Sequence, residues 1–225
     1  MTTLDSLLQA QKKKVLVPKE RQKLLVVGQS ETPGQGSLPQ TMVEITKVVQ
    51  TFCSSSWRKE DIVCFRGPEA TVDAISAALN SSSWVHLACH GRQEQKQSMK
   101  SAFALHDGDL ELGEIASKRL PQGQFAFLSA CQAATGQKEL PGEAMHLAAG
   151  LQFAGFPSVI ATMWGIRDID APHVADHTYQ YMFRDGLEAL DPSDAAAGLN
   201  RAVLHLREDD SVTVDRWAPF VHYGI

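Results

Sequence analysis

Five short apolar runs, bounded by turn residues and separated by stretches with helical spacing, constrain the fold of this chain more than any other feature. They are Leu24-Leu25-Val26-Val27, Asp61 to Phe65, Ser83 to Cys89, Phe125 to Ala130 and Pro157 to Met163. Runs of this length that are apolar throughout fit strands buried on both faces. Between the first two, Met42, Ile45, Val49 and Phe52 recur at helical spacing and predict an amphipathic helix over about 39–53. Val72, Ile75 and Leu79 predict another after the Gly67-Pro68 turn, and further helices are expected over Leu110–Leu120 and Gly142–Ala154. Asp107-Gly108 is a hairpin-turn signal after the short apolar run Phe103 to Leu105. Asp170 with Pro172, and Asp191 with Pro192, mark two helix starts, the second burying Ala195, Leu199, Ala202, Val203 and Leu206. Strands alternating with helices predict a mainly parallel sheet covered on both faces, an α/β three-layer sandwich.

A chain of 225 residues fits one domain with its own core. Residues 1–22 are polar and rich in Lys and Gln, with Leu4, Leu7 and Leu8 at helical spacing; they read as a short helix and linker ahead of a domain at 23–225. The net charge of −5 argues against a nucleic-acid surface, and Lys12-Lys13-Lys14 is an isolated cluster. No run approaches the roughly 20 apolar residues of a membrane span, and the start lacks the apolar core of a signal peptide, so a cytoplasmic location away from membranes is expected. The cysteines at 53, 64, 89 and 131 form no C-x-x-C pair, which gives a zinc site no spacing to build on. The glycines between Gly28 and Gly36 follow a strand but match neither a dinucleotide fingerprint nor a P-loop. No metal or cofactor is expected.

Two strand ends each deliver a reactive side chain: Val85-His86-Leu87-Ala88-Cys89-His90-Gly91 and Phe125-Ala126-Phe127-Leu128-Ser129-Ala130-Cys131. In a parallel sheet, sites gather at the carboxyl ends of strands. Neighbouring strands lie about 4.8 Å apart, so residues at adjacent ends come within reach of proton transfer. An imidazole beside Cys131 would lower its thiol pKa or take its proton during attack, and His90 is the candidate base. Gly91, with no side chain, leaves its N–H open to a substrate carbonyl; with the N–H of Cys131 it could form an oxyanion hole.

These stretches resemble the CHAT domain, a family of the caspase and separase clan. The resemblance rests on His90-Gly91, Leu128 to Cys131 with Thr135-Gly136 behind it, the helix from Gly142-Glu143-Ala144 to Phe153-Ala154-Gly155, and Ser158 to Trp164 followed by Asp168. It runs over about 23–225, and Trp217-Ala218-Pro219-Phe220 matches the family's closing segment. The resemblance implies a caspase-like fold and a His90/Cys131 dyad that cleaves peptide bonds through an acyl-enzyme. It also implies a protein or peptide substrate and a sensor module or partner that regulates the domain. His90 precedes Cys131 by 41 residues, the order and approximate spacing of caspases. Gln132-Ala133-Ala134 stand where many relatives carry an acidic residue followed directly by Thr-Gly.

Each of these residues also has a plainer reading. A lone strand-end cysteine is commonly packing. Strand alternation sends Cys89 to the face opposite His90, against a metal site with His86. His173 and His177 stand one helical turn apart but belong with Asp170, Asp176 and Arg184 on a solvated face. Asp168 either borders the substrate pocket and selects a basic or polar side chain, or caps the next helix together with Asp170. Trp164 either walls that pocket or covers the core. The competing function is a catalytically silent caspase-like module that binds a partner and scaffolds assembly.

Overall fold

Leu24–Gly28, a stretch without a polar side chain, forms strand β1 and is buried at every position. The computed structural model describes residues 17–92, 94, 97–132 and 145–224, with backbone alone at 98, 131, 132, 145 and 146. After β1 come α1 (Gln40–Ser54), β2 (Ile62–Arg66), α2 (Val72–Leu79), β3 (Trp84–Arg92), β4 (Ala102–Ala104) and β5 (Asp109–Glu111). Then follow α3 (Leu112–Ser117), β6 (Phe125–Gln132), α4 (Met145–Ala154), β7 (Ser158–Thr162), α5 (Ala171–Met182), α6 (Ala195–Leu206), α7 (Val214–Trp217) and β8 (Phe220–Gly224).

The strand order is β2-β1-β3-β6-β7-β8, with the β4–β5 hairpin attached to β3. The first five strands on this path are mutually parallel, and β8 closes the far edge antiparallel to β7. Alternate strand residues feed two cores. Leu25, Val27, Val85, Leu87, Cys89, Leu128 and Ala130 pack with α2, α3 and α4. Leu24, Val26, Trp84, Ala88, Phe125 and Phe127 pack with α1, α5 and α6. The three-layer α/β/α arrangement is therefore the one the alternating pattern predicts.

Local departures have physical causes. Strand β3 runs three residues past Cys89 because β4 pairs with His90, Gly91 and Arg92. Leu105 N–H donates to the Gly108 carbonyl at 2.8 Å, closing the hairpin at the predicted turn. Because Asp109–Glu111 are its second strand, the helix expected from Leu110 starts only at Leu112. Helix α1 is rotated from its expected face: Thr41, Glu44, Ile45, Val48 and Phe52 are buried, while Met42 and Val49 sit at the margin. Asp170 occupies the N-cap position of α5 but gives it no side-chain bond. Its carboxylate instead holds the Arg216 guanidinium, with Nε at 2.9 Å.

The Asp170 side chain is 2% exposed and that of Arg216 14%, so removing the cation strands a buried carboxylate. Arg216→Met is expected to lower the unfolding free energy by about 2–3 kcal/mol. This is below the usual cost of breaking a fully buried pair because the guanidinium side is open to water. Urea denaturation measures it, and a loss no larger than for a surface substitution would contradict the assignment.

At the start of β7, the Ser158 hydroxyl donates to the Pro192 carbonyl at 3.1 Å and lies 2.8 Å from Nε2 of His222 on β8. With its one proton committed, the hydroxyl accepts from His222 Nε2–H. Burial pushes the His222 pKa below its ordinary value of 6.5. The His177 pKa is lowered as well, first by burial and then by His205, whose ring centroid lies 4.0 Å away. Both histidines take up protons more readily when unfolded, so their neutral forms stabilise the fold above about pH 6.5 and that stability declines as pH falls. Urea midpoints should drop between pH 7 and pH 5, and His222→Gln should flatten part of that drop; an unchanged slope would count against His222 as a contributor.

Candidate active site

All five parallel strands end at one edge of the sheet, and there the segments leaving β1 and β7 are joined by the Gln40 N–H bond to Asp168. In the β3–β6 ladder, Trp84 is opposite Phe125, His86 opposite Phe127, Ala88 opposite Ser129 and His90 opposite Cys131. The two residues singled out as base and nucleophile are thus adjacent in backbone register, about one inter-strand spacing apart.

His90 is 4% exposed, and its Nε2 lies 2.7 Å from the carbonyl oxygen of Gly36. A carbonyl can only accept, so Nε2 carries the proton and Nδ1 holds the lone pair of the neutral ring. Among the described residues Nδ1 has no hydrogen-bond partner. The imidazole is therefore oriented through one nitrogen and presents the other as a base.

Gly36 is set by the loop between β1 and α1. Gln29 N–H donates to the Ala88 carbonyl, extending the β1–β3 contact by one step, and Leu38 N–H returns to the Ser30 carbonyl, both at 2.9 Å. Gly34 takes φ +77 within the loop, a conformation that costs glycine little. The loop then enters α1, whose first N–H, that of Gln40, donates to Asp168 Oδ2 at 2.8 Å. Pro39 has no side chain to cap this helix, and a carboxylate from the loop after β7 does so in its place. Asp168 therefore caps α1, not the helix that follows it.

Gly91 is buried in β3, between Phe103 of β4 and Gln132 of β6. A Cβ at this position would lie 3.3 Å from Leu147 Cδ1, a close approach that leaves little room for a side chain. Trp164 is half-buried on the loop after β7, and its indole N–H donates to the Asp215 carbonyl at 3.0 Å. Thr135-Gly136 and the altered stretch after Gln132 lie outside the described residues, as does most of 1–22.

One pleat below His90 lies a polar cluster that sequence reading did not assemble. Glu44 of α1 is 1% exposed and His86 of β3 is fully buried. Ser129 Oγ donates to Glu44 Oε2 at 3.1 Å, and His86 Nε2 stands 3.1 Å from Glu44 Oε1. That second contact is close but lacks hydrogen-bond alignment. Burial, then the Glu44 charge, pushes the Tyr179 hydroxyl pKa well above its ordinary value. Tyr179 therefore keeps its proton, and its hydroxyl lies within hydrogen-bonding distance of His86 Nδ1, at 3.2 Å. Among the described residues no group of three or more His, Cys, Asp or Glu is arranged to hold a metal ion. No helix among them is long and apolar enough to cross a membrane.

Comparison with known proteins bears on the fold. No curated protein matches the chain. Among solved structures, gingipain R, an Arg-specific cysteine proteinase, superposes with TM-score 0.60 at 15% identity, covering 96% of this chain and 51% of its own. The complex of RgpB pro- and mature domains from Porphyromonas gingivalis gives 0.61 at 14%, covering 97% and 51%. The separase–securin complex of Saccharomyces cerevisiae gives 0.53 at 17%, covering 98% of this chain and 13% of that one. At such identities the likeness concerns the fold, which is that of caspase-like cysteine peptidases, and this chain spans about half the length of the gingipain chains. The CHAT domain family model matches residues 1–225, taking in the segment read as a linker. The chain belongs to the CHAT domain family.

Proposed function

We propose that this chain is a cysteine endopeptidase in which His90 activates Cys131. His90 Nδ1 takes the thiol proton, and the sulfur attacks the substrate carbonyl. The N–H groups of Gly91 and Cys131 receive the developing oxyanion. His90 then returns the proton to the leaving amine, and water, deprotonated by the same nitrogen, hydrolyses the acyl-enzyme. The substrate is an extended segment of another protein lying along the sheet edge, with Trp164 and Asp168 on the side of the β7 loop.

The observation that carries this reading is the Gly36 carbonyl on His90 Nε2. It fixes the tautomer that leaves Nδ1 as a base, in a residue whose ladder partner is a cysteine. Among the described residues that nitrogen has no hydrogen-bond partner, and leaving it so costs about 1–3 kcal/mol in a histidine held for packing alone. Complexes of neighbours with a pro-domain and with securin favour regulation by a bound protein segment.

Two measurements check the proposal. Cys131 should react with iodoacetamide at about pH 6.5 faster than Cys53, Cys64 or Cys89, since an ordinary thiol has pKa about 8.5. His90→Ala should remove that advantage. In a peptide-library digest, cleavage products should vanish in Cys131→Ala, and identical product patterns would refute the enzymatic reading.

A further inference from the structure

We infer that Glu44 is a positioning residue for the His90/Cys131 pair, acting through Ser129 and His86; the inference rests on the peptidase reading above. Among the described residues, Glu44 makes its polar contacts with Ser129 and His86. It connects the three elements whose relative placement the chemistry depends on. Ser129 lies two residues before Cys131 on β6, and its hydroxyl donates to Glu44. His86 lies four residues before His90 on β3, and its Nε2 faces the same carboxylate. Glu44 itself is on α1, reached directly from the loop whose Gly36 carbonyl holds His90 Nε2. One carboxylate therefore references the nucleophile strand, the base strand and the carbonyl that orients the base to a single point.

Stability does not explain this cluster. A buried carboxylate is expensive to desolvate, and apolar replacements of matching volume are commonly neutral or stabilising. The rest of the α1 contact is apolar, through Ile45, Val48 and Phe52, so an apolar residue at 44 would suit the packing. The fold also brings the helix close at this end: a Cβ on Gly28 would run into the Ile45 side chain. With α1 this near β1, a shift of the helix carries Gly36 with it. Misplacement of reacting groups by about 1 Å can cost roughly a hundredfold in rate.

The test compares full-length wild type, Glu44→Met and Ser129→Ala, with Leu199→Ala as a control in the same core but on α6. The readouts are the rate of Cys131 alkylation by iodoacetamide as a function of pH, and the melting temperature. Glu44→Met should melt no lower than Leu199→Ala, yet slow Cys131 alkylation at about pH 6.5 by about tenfold or more and move its pH midpoint toward that of an ordinary thiol. Ser129→Ala, which removes one hydroxyl, should do the same by about threefold to tenfold and decides the matter where Glu44→Met does not fold. Leu199→Ala should lower the melting temperature and leave the profile alone. A fast Cys131 with an unchanged profile in both site variants, or a profile that tracks melting temperature across all three, overturns the inference alone. A wild-type Cys131 no faster than the other cysteines overturns the peptidase reading with it.

Discussion

In the ladder between β3 and β6, Trp84 meets Phe125, and every later pair follows until His90 meets Cys131. The register is held at its start by bulk. Trp84 and Phe125 are fully buried with ring centroids 5.1 Å apart, and the Trp84 indole N–H reaches Gln124 at 3.0 Å. A slip of one residue would turn Leu87, Cys89, Leu128 and Ala130 out of one core and His86 and Phe127 out of the other. Apolar packing at the amino end of the strands thus fixes, six residues away, which side chains share the carboxyl edge. The chemistry depends on a distance that the core sets.

That dependence explains why so much of the fold was legible. Four of the five parallel strands are nearly continuous apolar runs because both faces of the sheet are covered there, and such runs survive in sequence without reference to their partners; β2, expected to be buried as well, lies at the sheet edge and is only half-buried. What was not legible depends on partners. Strand β3 outruns its apolar stretch because a hairpin distant in sequence supplies its last hydrogen bonds. Strand β8 reads Phe-Val-His-Tyr-Gly, only Phe220 of which is buried, so it lacks the continuous apolar signal and exists by pairing with β7. Asp170 looked like a cap because it precedes Ala171-Pro172, yet Arg216, 46 residues away, holds its carboxylate.

The same distinction runs through the site. His90, Gly91 and Cys131 could be nominated as a site because side-chain chemistry and strand-end position are both written in the sequence. Gly36 was not, since its contribution is a backbone carbonyl that any residue could supply; the only signal was a Gly/Pro-rich loop leaving a strand toward the active edge. Glu44 was hidden by a helical rotation. The stripe of Met42, Ile45, Val49 and Phe52 assigns Glu44 to the border, while the structure turns it inward with Thr41 and Val48. His86 was weighed only as a metal ligand with Cys89 and His90. Alternation separates Cys89 from both histidines, and leaves His86 pointing at a carboxylate from another element.

Asp168 joins these parts from the opposite side. The loop after β7 sends its carboxylate to the first N–H of α1, so the helix carrying Glu44 is fixed at its start by β7 and one turn later by β3 and β6. A helix held by charge at two successive turns has little freedom to slide, and the Gly36 carbonyl inherits that restraint. A group bound to the β7 loop that drew Asp168 away would release the start of α1 and, through it, the orientation of His90. In the proposed peptidase, binding at the β7 loop and alignment of His90 would share one carboxylate, because Asp168 caps the helix entered from the Gly36 loop.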